Sequence, residues 1–363
     1  MPVMIGRRRL LVGAASLLAV AAAPRRARGA ALSITASADT GNEAMVPAAL
    51  EGGLVHFAGE SFQGAVDAQT WATVWREPVP ADAPCRFRPR CADGIVVCGG
   101  GAMLAARDAA SGRLLWQARP AKAFGAPLLH GGQVLCGDGN LVVARGLRDG
   151  RIAWTFAAVA DTDVAYAPAA TGDTVFVGPG DGRLYALSAR DGSPRWTVDG
   201  REDWQYLRQM DIAGDVLVAG TYKERLLGLS IADGSRTWSV NAGNFINSQH
   251  VADGHAYFWS PTGWVFAVNA ATGAILWRHR TTDYTSRPGN WAPVMAELVT
   301  AGTVLYALDM ADVLHCLDQR TGQEIGRYPV DRTLRPFVVP LEPATVALGT
   351  TRGALVRCAM AVR

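Results

Sequence analysis

An all-β chain, closed into an eight-bladed propeller, is the fold this sequence predicts, and three observations carry the prediction. The first is a recurring frame: a small residue, a polar residue two on, Gly six on and Trp ten on. It appears as Ala106, Asp108, Gly112, Trp116 and again as Ala186, Ser188, Gly192, Trp196. It returns as Ala144, Gly150, Trp154, as Gly228, Ser230, Gly234, Trp238, and as Ala267, Asn269, Gly273, Trp277. The second is the period: anchor positions 75, 116, 154, 196, 238, 277 and 326 lie 41, 38, 42, 42, 39 and 49 residues apart. A period of about forty with strand-like content is the signature of a propeller blade. The third is composition, 49% hydrophobic with 40 Gly in 363 residues, as many short strands joined by tight turns require.

Ahead of the repeats, Arg7, Arg8 and Arg9 precede the apolar run 10–23, which is followed by Arg25, Arg26, Arg28 and the triplet Ala27, Arg28, Gly29. A basic start, a short apolar stretch and a small-residue cleavage site read as an export signal removed near Gly29. The run is shorter than the roughly 20 residues a membrane-spanning helix needs, so no transmembrane anchor is expected after processing. The order Arg7, Arg8, Arg9, Leu10, Leu11 resembles a twin-arginine signal, and no Cys follows at the spacing of a lipid anchor. The expected compartment is the periplasm. The formal charge of +3 counts six arginines before Ala30, and their removal leaves the mature chain at −3. Nucleic acid and anionic membrane are excluded as partners by that balance.

Residues 30–363 read as one domain. Strand Ala31 to Ala36 precedes the first full blade. The blade ending at Trp196 shows the plan: strands over 166–170, 174–177, 184–187 and 196–198, joined by Gly/Asp turns at 178–182 and 190–192. Four antiparallel strands tied by hairpins make one blade. Each anchor Trp is expected to be buried and to pack across to the next blade, where Ala and Gly leave room for its ring. Two copies depart from the frame. Ala65, Asp67, Trp71, Trp75 carries Trp in the Gly place, and Cys316, Asp318, Gly322, Gly326 has lost the Trp.

After Gly326 come strands at 336–339, 345–348 and 354–357, with no fourth. The N-terminal strand supplies it, so that first and last segments share one blade and no edge stays open. Eight blades follow, with seven the alternative count.

Ala-x-Asp-x-x-Thr-Gly-x-x-x-Trp, best preserved at 106–116 and 267–277, resembles the tryptophan-docking motif of the pyrroloquinoline-quinone (PQQ) repeat family. The resemblance covers nearly the whole mature chain. It implies a propeller and two kinds of activity: PQQ-dependent alcohol dehydrogenases, and non-catalytic scaffolds of the BamB type, which help assemble outer-membrane barrels.

In such propellers the axial mouth is lined by loops joining one blade's outer strand to the next blade's inner strand, here 85–91, 119–127, 161–166, 201–208, 241–250, 279–293 and 331–336. Their polar and aromatic residues nominate a binding mouth made by Arg86, Arg88, Asp163, Asp203, Trp204, Asn247, Arg287, Asn290, Trp291 and Arg335. The occupant is an envelope protein partner or a small anionic or aromatic ligand, and the protein itself is expected to be a monomer.

A family PQQ site uses calcium held by carboxylate and amide oxygens, an Asp base, an Arg at the quinone oxygen and a Trp floor. Asp163, Asn290, Arg287 and Trp291 are the right residue types. The sequence has no adjacent cysteine pair and no Cys-x-x-Cys-His haem motif. No cofactor and no metal site are therefore predicted, and PQQ with calcium belongs to the alternative, enzymatic reading. Cys85 and Cys91 flank a loop they could staple, Cys98, Cys136 and Cys316 read as small core residues, and His56, His255 and His315 read as satisfied histidines inside strands.

Overall fold

The structure, a computed structural model, describes residues 32–159, 162–204, 207–221, 224–243, 246, 248–260, 262–281, 297–309, 311–331, 333–342 and 344–360. The export signal and its cleavage site lie outside them. Thirty-two strands form eight four-stranded antiparallel sheets among these residues, with no helix.

Blade 1 is β2 (Ala49–Glu51), β3 (Leu54–Ala58), β4 (Phe62–Asp67) and β5 (Thr73–Pro78). Blade 2 is β6 (Phe87–Ala92), β7 (Ile95–Gly100), β8 (Met103–Asp108) and β9 (Leu114–Ala118). In blade 3, β10 (Leu128–His130) is innermost and β13 (Ile152–Ala157) outermost; in blade 4, the same places fall to β14 (Ala169–Thr171) and β17 (Pro194–Asp199). Blade 5 runs from β18 (Leu207–Ala213) to β21 (Arg236–Asn241), and blade 6 from β22 (Ser248–Ala252) to β25 (Ile275–Arg280). Blade 7 is β26 (Glu297–Ala301), β27 (Val304–Leu308), β28 (Val313–Asp318) and β29 (Glu324–Pro329).

The eighth blade closes the ring as the two chain ends predict. Its strand order is β1 (Leu32–Asp39), β32 (Ala354–Met360), β31 (Thr345–Thr350), β30 (Leu334–Glu342). Leu32 pairs with Met360 and Asp39 with Ala354, so the first described strand is the outer strand of the last blade. The first and last described strands are thereby tied into one sheet.

The repeated frame is explained by three local contacts. The polar residue makes the turn: Asp108 Oδ1 accepts Ser111 N–H at 2.8 Å and its hydroxyl at 2.7 Å, and Asp318 does the same with Thr321. The Gly stands at positive φ, +74° at Gly112, and a Cβ there would meet the Trp75 ring at 2.6 Å. Glycine is required on both counts. The Trp then donates its indole N–H to a carbonyl of the following blade: Trp75 to Ala109 at 2.9 Å, Trp116 to Leu147 at 2.8 Å, Trp154 to Ala189 at 2.9 Å, Trp238 to Ala270 at 3.0 Å and Trp277 to Gln319 at 2.9 Å.

Trp196 departs from the expected burial. It is half-buried, and its bond to Ile231 is the longest of the set at 3.3 Å. A Cβ at Gly234 would meet Val198 Cγ2 first and only then the outer ring atoms, so Val198 takes part of the space the ring fills elsewhere.

Of the two states open to Cys85 and Cys91, the structure has the unpaired one: both are free thiols. Cys91 stands within β6 and Cys85 ahead of it, and extended backbone at about 3.3 Å per residue carries the two apart, whereas a disulfide tolerates a separation of roughly 7 Å. Cys98, Cys136 and Cys316 are buried core residues, and burial raises the Cys136 and Cys316 thiols to about 12. His56 is buried as expected, but neither ring nitrogen has a hydrogen-bond partner among the described residues.

Candidate functional site

The innermost strands line the axis, and each runs inward from the mouth loop that precedes it. Strand alternation sends every second side chain to the same face. Arg88 and Arg90 on β6, and Gln209 and Asp211 on β18, are spaced by two in this way. The charges of Arg90 and Asp211 interact across the channel.

Arg88 Nη2 of blade 2 is ion-paired and hydrogen-bonded to Glu297 Oε1 of blade 7. Blades 8 and 1 stand between those two around the ring, so the pair bridges part of the channel. Burial pushes the Glu297 carboxyl up, and the Arg88 charge works against that shift. Arg90 retains solvent access, yet burial pulls its guanidinium down; Arg88 adds to that direction, while Asp211 and Glu297 oppose it.

Opposite this pair, Gln249 on β22 knits blade 5 to blade 6. Its Nε2 donates to Asp211 Oδ2 at 2.9 Å, its backbone N–H donates to Gln209 Oε1 at 3.2 Å, and Gln209 Nε2 donates to the Gln249 carbonyl at 3.0 Å. Burial raises the Asp211 carboxyl, and the bond from Gln249 opposes it. His250 Nε2 lies 2.8 Å from Thr300 Oγ1, linking blade 6 to blade 7. Beside Arg88, a cleft of about 290 Å³ lined by Ala48, Leu50, Val299, Thr300, Val338 and Pro340 separates blades 1, 7 and 8.

Of the residues nominated from sequence, Arg86 and Asp163 are exposed on the mouth. Arg86 lies over Gly101, where a Cβ would come within 2.9 Å of its Cδ, and the Asp163 carbonyl accepts Gly180 N–H at 3.1 Å. Asp203 is exposed and ion-paired to Arg236 of blade 5 at 3.1 Å. Arg88 has turned inward to Glu297. Trp204 is 2% exposed and packs with Phe176, Leu207 and Met210 beneath the mouth. Its ring folds over Gly200, where a Cβ would lie 1.9 Å from it, so the side chain supports the loop. Arg335 pairs with Gly349 as part of β30, and its side chain lies outside the described residues, as do Asn247, Arg287, Asn290 and Trp291.

Sequence reasoning missed Glu297, Arg90 and Asp211. The signal that finds them is polarity at alternate positions of the first strand of a repeat, where the later strands are apolar.

The comparisons with known proteins agree with this architecture. A family model described as outer membrane protein assembly factor BamB matches residues 61–199, 138–252 and 199–336, well over half the chain. The chain belongs to this family. Among solved structures, BamB from Moraxella catarrhalis is similar at 21% identity and TM-score 0.68, over 91% of this chain and 100% of that one. A quinohemoprotein alcohol dehydrogenase from Pseudomonas putida is similar at 12% identity and TM-score 0.70, over 92% of this chain and 77% of that one. The computationally designed Ika8 protein reaches TM-score 0.75 at 14% identity, over 92% of this chain and 100% of that one. These three likenesses show the eight-bladed fold alone. No curated protein matches the sequence. Membership of the BamB family sets the frame in which the mouth and axis are to be understood, and no helix among the described residues is long and apolar enough to cross a membrane.

Among the described residues, the two axial carboxylates are engaged by protein donors. Glu297 faces Arg88, and Asp211 accepts from Gln249. A calcium ion takes six to eight oxygen ligands, and these two carboxylates are directed to protein donors.

Proposed function

We propose that this protein is an exported scaffold of the cell envelope, using its mouth face to hold a segment of a protein partner of the outer-membrane assembly machinery. The observation that carries the reading is the Arg88–Glu297 pair: the chain's own side chains bridge the channel between blades 2 and 7. A mouth floored in this way offers a broad, shallow surface instead of a deep reaction chamber. The cleft beside Arg88, about 290 Å³, falls at the lower limit of the ~300–1,000 Å³ usual for small-molecule sites.

Its rim mixes charge and exposed apolar surface. Arg86, Asp163 and Asp203 are exposed, and so are Val159 and Tyr166 in the loop between blades 3 and 4. Aromatic and arginine side chains ringed by polar groups are the usual anchors of a protein interface. Family membership supports an envelope partner, and the twin-arginine-like start supports export to the periplasm. No cofactor chemistry is assigned to the mouth.

Site-specific photo-crosslinkers at Arg86, Asp163 and Tyr166 in the native host test this reading. Adducts with outer-membrane assembly proteins at the mouth, absent when the crosslinker replaces exposed Ile152 on the outermost strand of blade 3, are expected. Absence of any protein adduct, together with native mass spectrometry showing bound PQQ and calcium and with dye reduction on an alcohol or sugar, would replace the scaffold by a quinoprotein.

A further inference from the structure

Away from the axis, between blades 6 and 7, four titratable side chains converge that the mouth does not use. His279 is on β25, His315 on β28, Glu324 on β29, and Asp309 directly follows β27. His315 Nδ1 lies 2.6 Å from Glu324 Oε1, and its Nε2 lies 3.1 Å from Asp309 Oδ2. His279 Nε2 is 3.6 Å from the same Glu324 Oε1, beyond hydrogen-bond reach, and is buried with no hydrogen-bond partner among the described residues. One ligand atom from each of His279, His315 and Glu324 falls within 4.8 Å of the others. His315 and Asp309 have fully buried side chains, while Glu324 keeps 26% exposure.

A neutral imidazole has one donor and one acceptor nitrogen. The Asp309 carboxylate is fixed, because its Oδ1 accepts the N–H groups of Ala311 and Val313 at 2.9 Å each. It therefore claims the N–H at His315 Nε2. That leaves a lone pair on Nδ1 facing the Glu324 carboxylate, with a second imidazole nitrogen near the same oxygen. One proton can bridge only two of these three atoms. A divalent ion satisfies all three.

The sequence marks the same point independently. Two residues before the repeat anchor stand Thr73, Leu114, Ile152, Pro194, Arg236 and Ile275, and only blade 7 has a carboxylate, Glu324. Two after it stand Glu77, Ala118, Phe156, Val198 and Val240, and only blade 6 has a histidine, His279. Just before the small-residue slot stand Gly64, Ala105, Val143, Tyr185, Leu227 and Phe266, and only blade 7 has His315. Three separate departures from the repeat meet in space.

We propose that His279, His315 and Glu324 bind a zinc-class divalent transition-metal ion that staples blade 6 to blade 7, with Asp309 as the positioning residue for His315. Two imidazoles and one carboxylate, with a fourth position left for water, is a ligand set that zinc accepts. Ligand atoms of a tetrahedral zinc with bonds of about 2.1 Å stand about 3.4 Å apart. The 3.6 Å separation already fits, and the 2.6 Å separation opens by rotation of the half-buried Glu324 carboxyl. A carboxylate holding the far nitrogen of a ligating histidine is the usual outer support of such sites.

The test uses the full mature chain, stripped with a chelator, dialysed and titrated with zinc alone. One zinc per chain by elemental analysis, a rise of Tm on adding zinc and a visible four-coordinate spectrum on substituting cobalt are expected. His279→Gln should lose stoichiometric binding; its Nε2 makes no hydrogen bond, so circular dichroism should show an intact fold. Asp309→Asn should weaken zinc by about 10–100-fold. No retained zinc in the wild type, or equal zinc in wild type and H279Q, overturns the proposal and leaves the cluster as an ion pair around a protonated His315.

Discussion

The indole N–H of Trp71 donates to the Leu355 carbonyl of blade 8 at 3.2 Å, pointing backwards round the ring while the other inter-blade indoles point forwards. The reversal follows from where the chain closes. β1, the outer strand of blade 8, has no tryptophan to send into blade 1. Trp71 stands in the glycine place of its own repeat, at φ 61°, and fills that interface from the other side with Phe57, Ala38 and Leu355.

Substitution of Trp71 by Gly should therefore destabilise the protein although it relieves backbone strain. A non-glycine residue at positive φ costs on the order of 1 kcal/mol, whereas loss of a large buried aromatic costs about 3–5 kcal/mol. Urea unfolding should show a net loss of at least about 2 kcal/mol for W71G, and a gain in stability would contradict the account.

The anchor tryptophans are not equivalent. Trp116 is 8% exposed and bonded at 2.8 Å, so Trp116→Ala should cost about 3–5 kcal/mol. Trp196→Ala should cost roughly half as much, since Val198 shares its site and the ring is partly solvated. Equal losses by chemical denaturation would show that burial does not set the difference.

Replacing Arg88 by Met leaves Glu297 facing the channel without its partner. Removal of one member of a fully buried pair costs about 3–5 kcal/mol; Arg88 is 32% exposed and Glu297 17%, which reduces the expectation to about 1–3 kcal/mol. The double variant R88M/E297Q should recover part of that loss, and additive losses in the cycle would argue against direct coupling.

His56 supplies a pH dependence with a definite sign. Burial lowers its pKa from 6.5 to about 4, so the unfolded chain binds a proton that the folded chain refuses. Stability from this residue is complete above about pH 6.5 and falls as the pH drops towards about 4, by on the order of 3 kcal/mol. His56→Leu should flatten the melting temperature across that window relative to wild type. An unchanged profile would place the acid sensitivity elsewhere.

The repeat itself determined the fold. A small residue, a turn-forming Asp, a positive-φ Gly and a Trp at fixed spacing are local requirements of one hairpin and its neighbour, and such requirements are written residue by residue. The count of eight, with seven as the alternative, and the closure by β1 were legible for the same reason, because three strands at one end and one at the other complete one four-stranded blade. The free state of Cys85 and Cys91 was not legible, since it depends on extended backbone carrying them apart. Nor was the burial of Trp204, whose aromatic ring looks the same in a loop whether it faces solvent or folds over Gly200.

What only the tertiary structure decided is which residues from distant repeats face one another. Arg88 and Glu297 are 209 residues apart, and His279 and Glu324 belong to different blades. Ring closure makes the first pair neighbours through the summed geometry of the blades, and the packing of one blade on the next makes the second. No single period of the sequence encodes either distance, so the axial pair emerged only once the ring was closed and the inter-blade cluster only once blade 6 met blade 7.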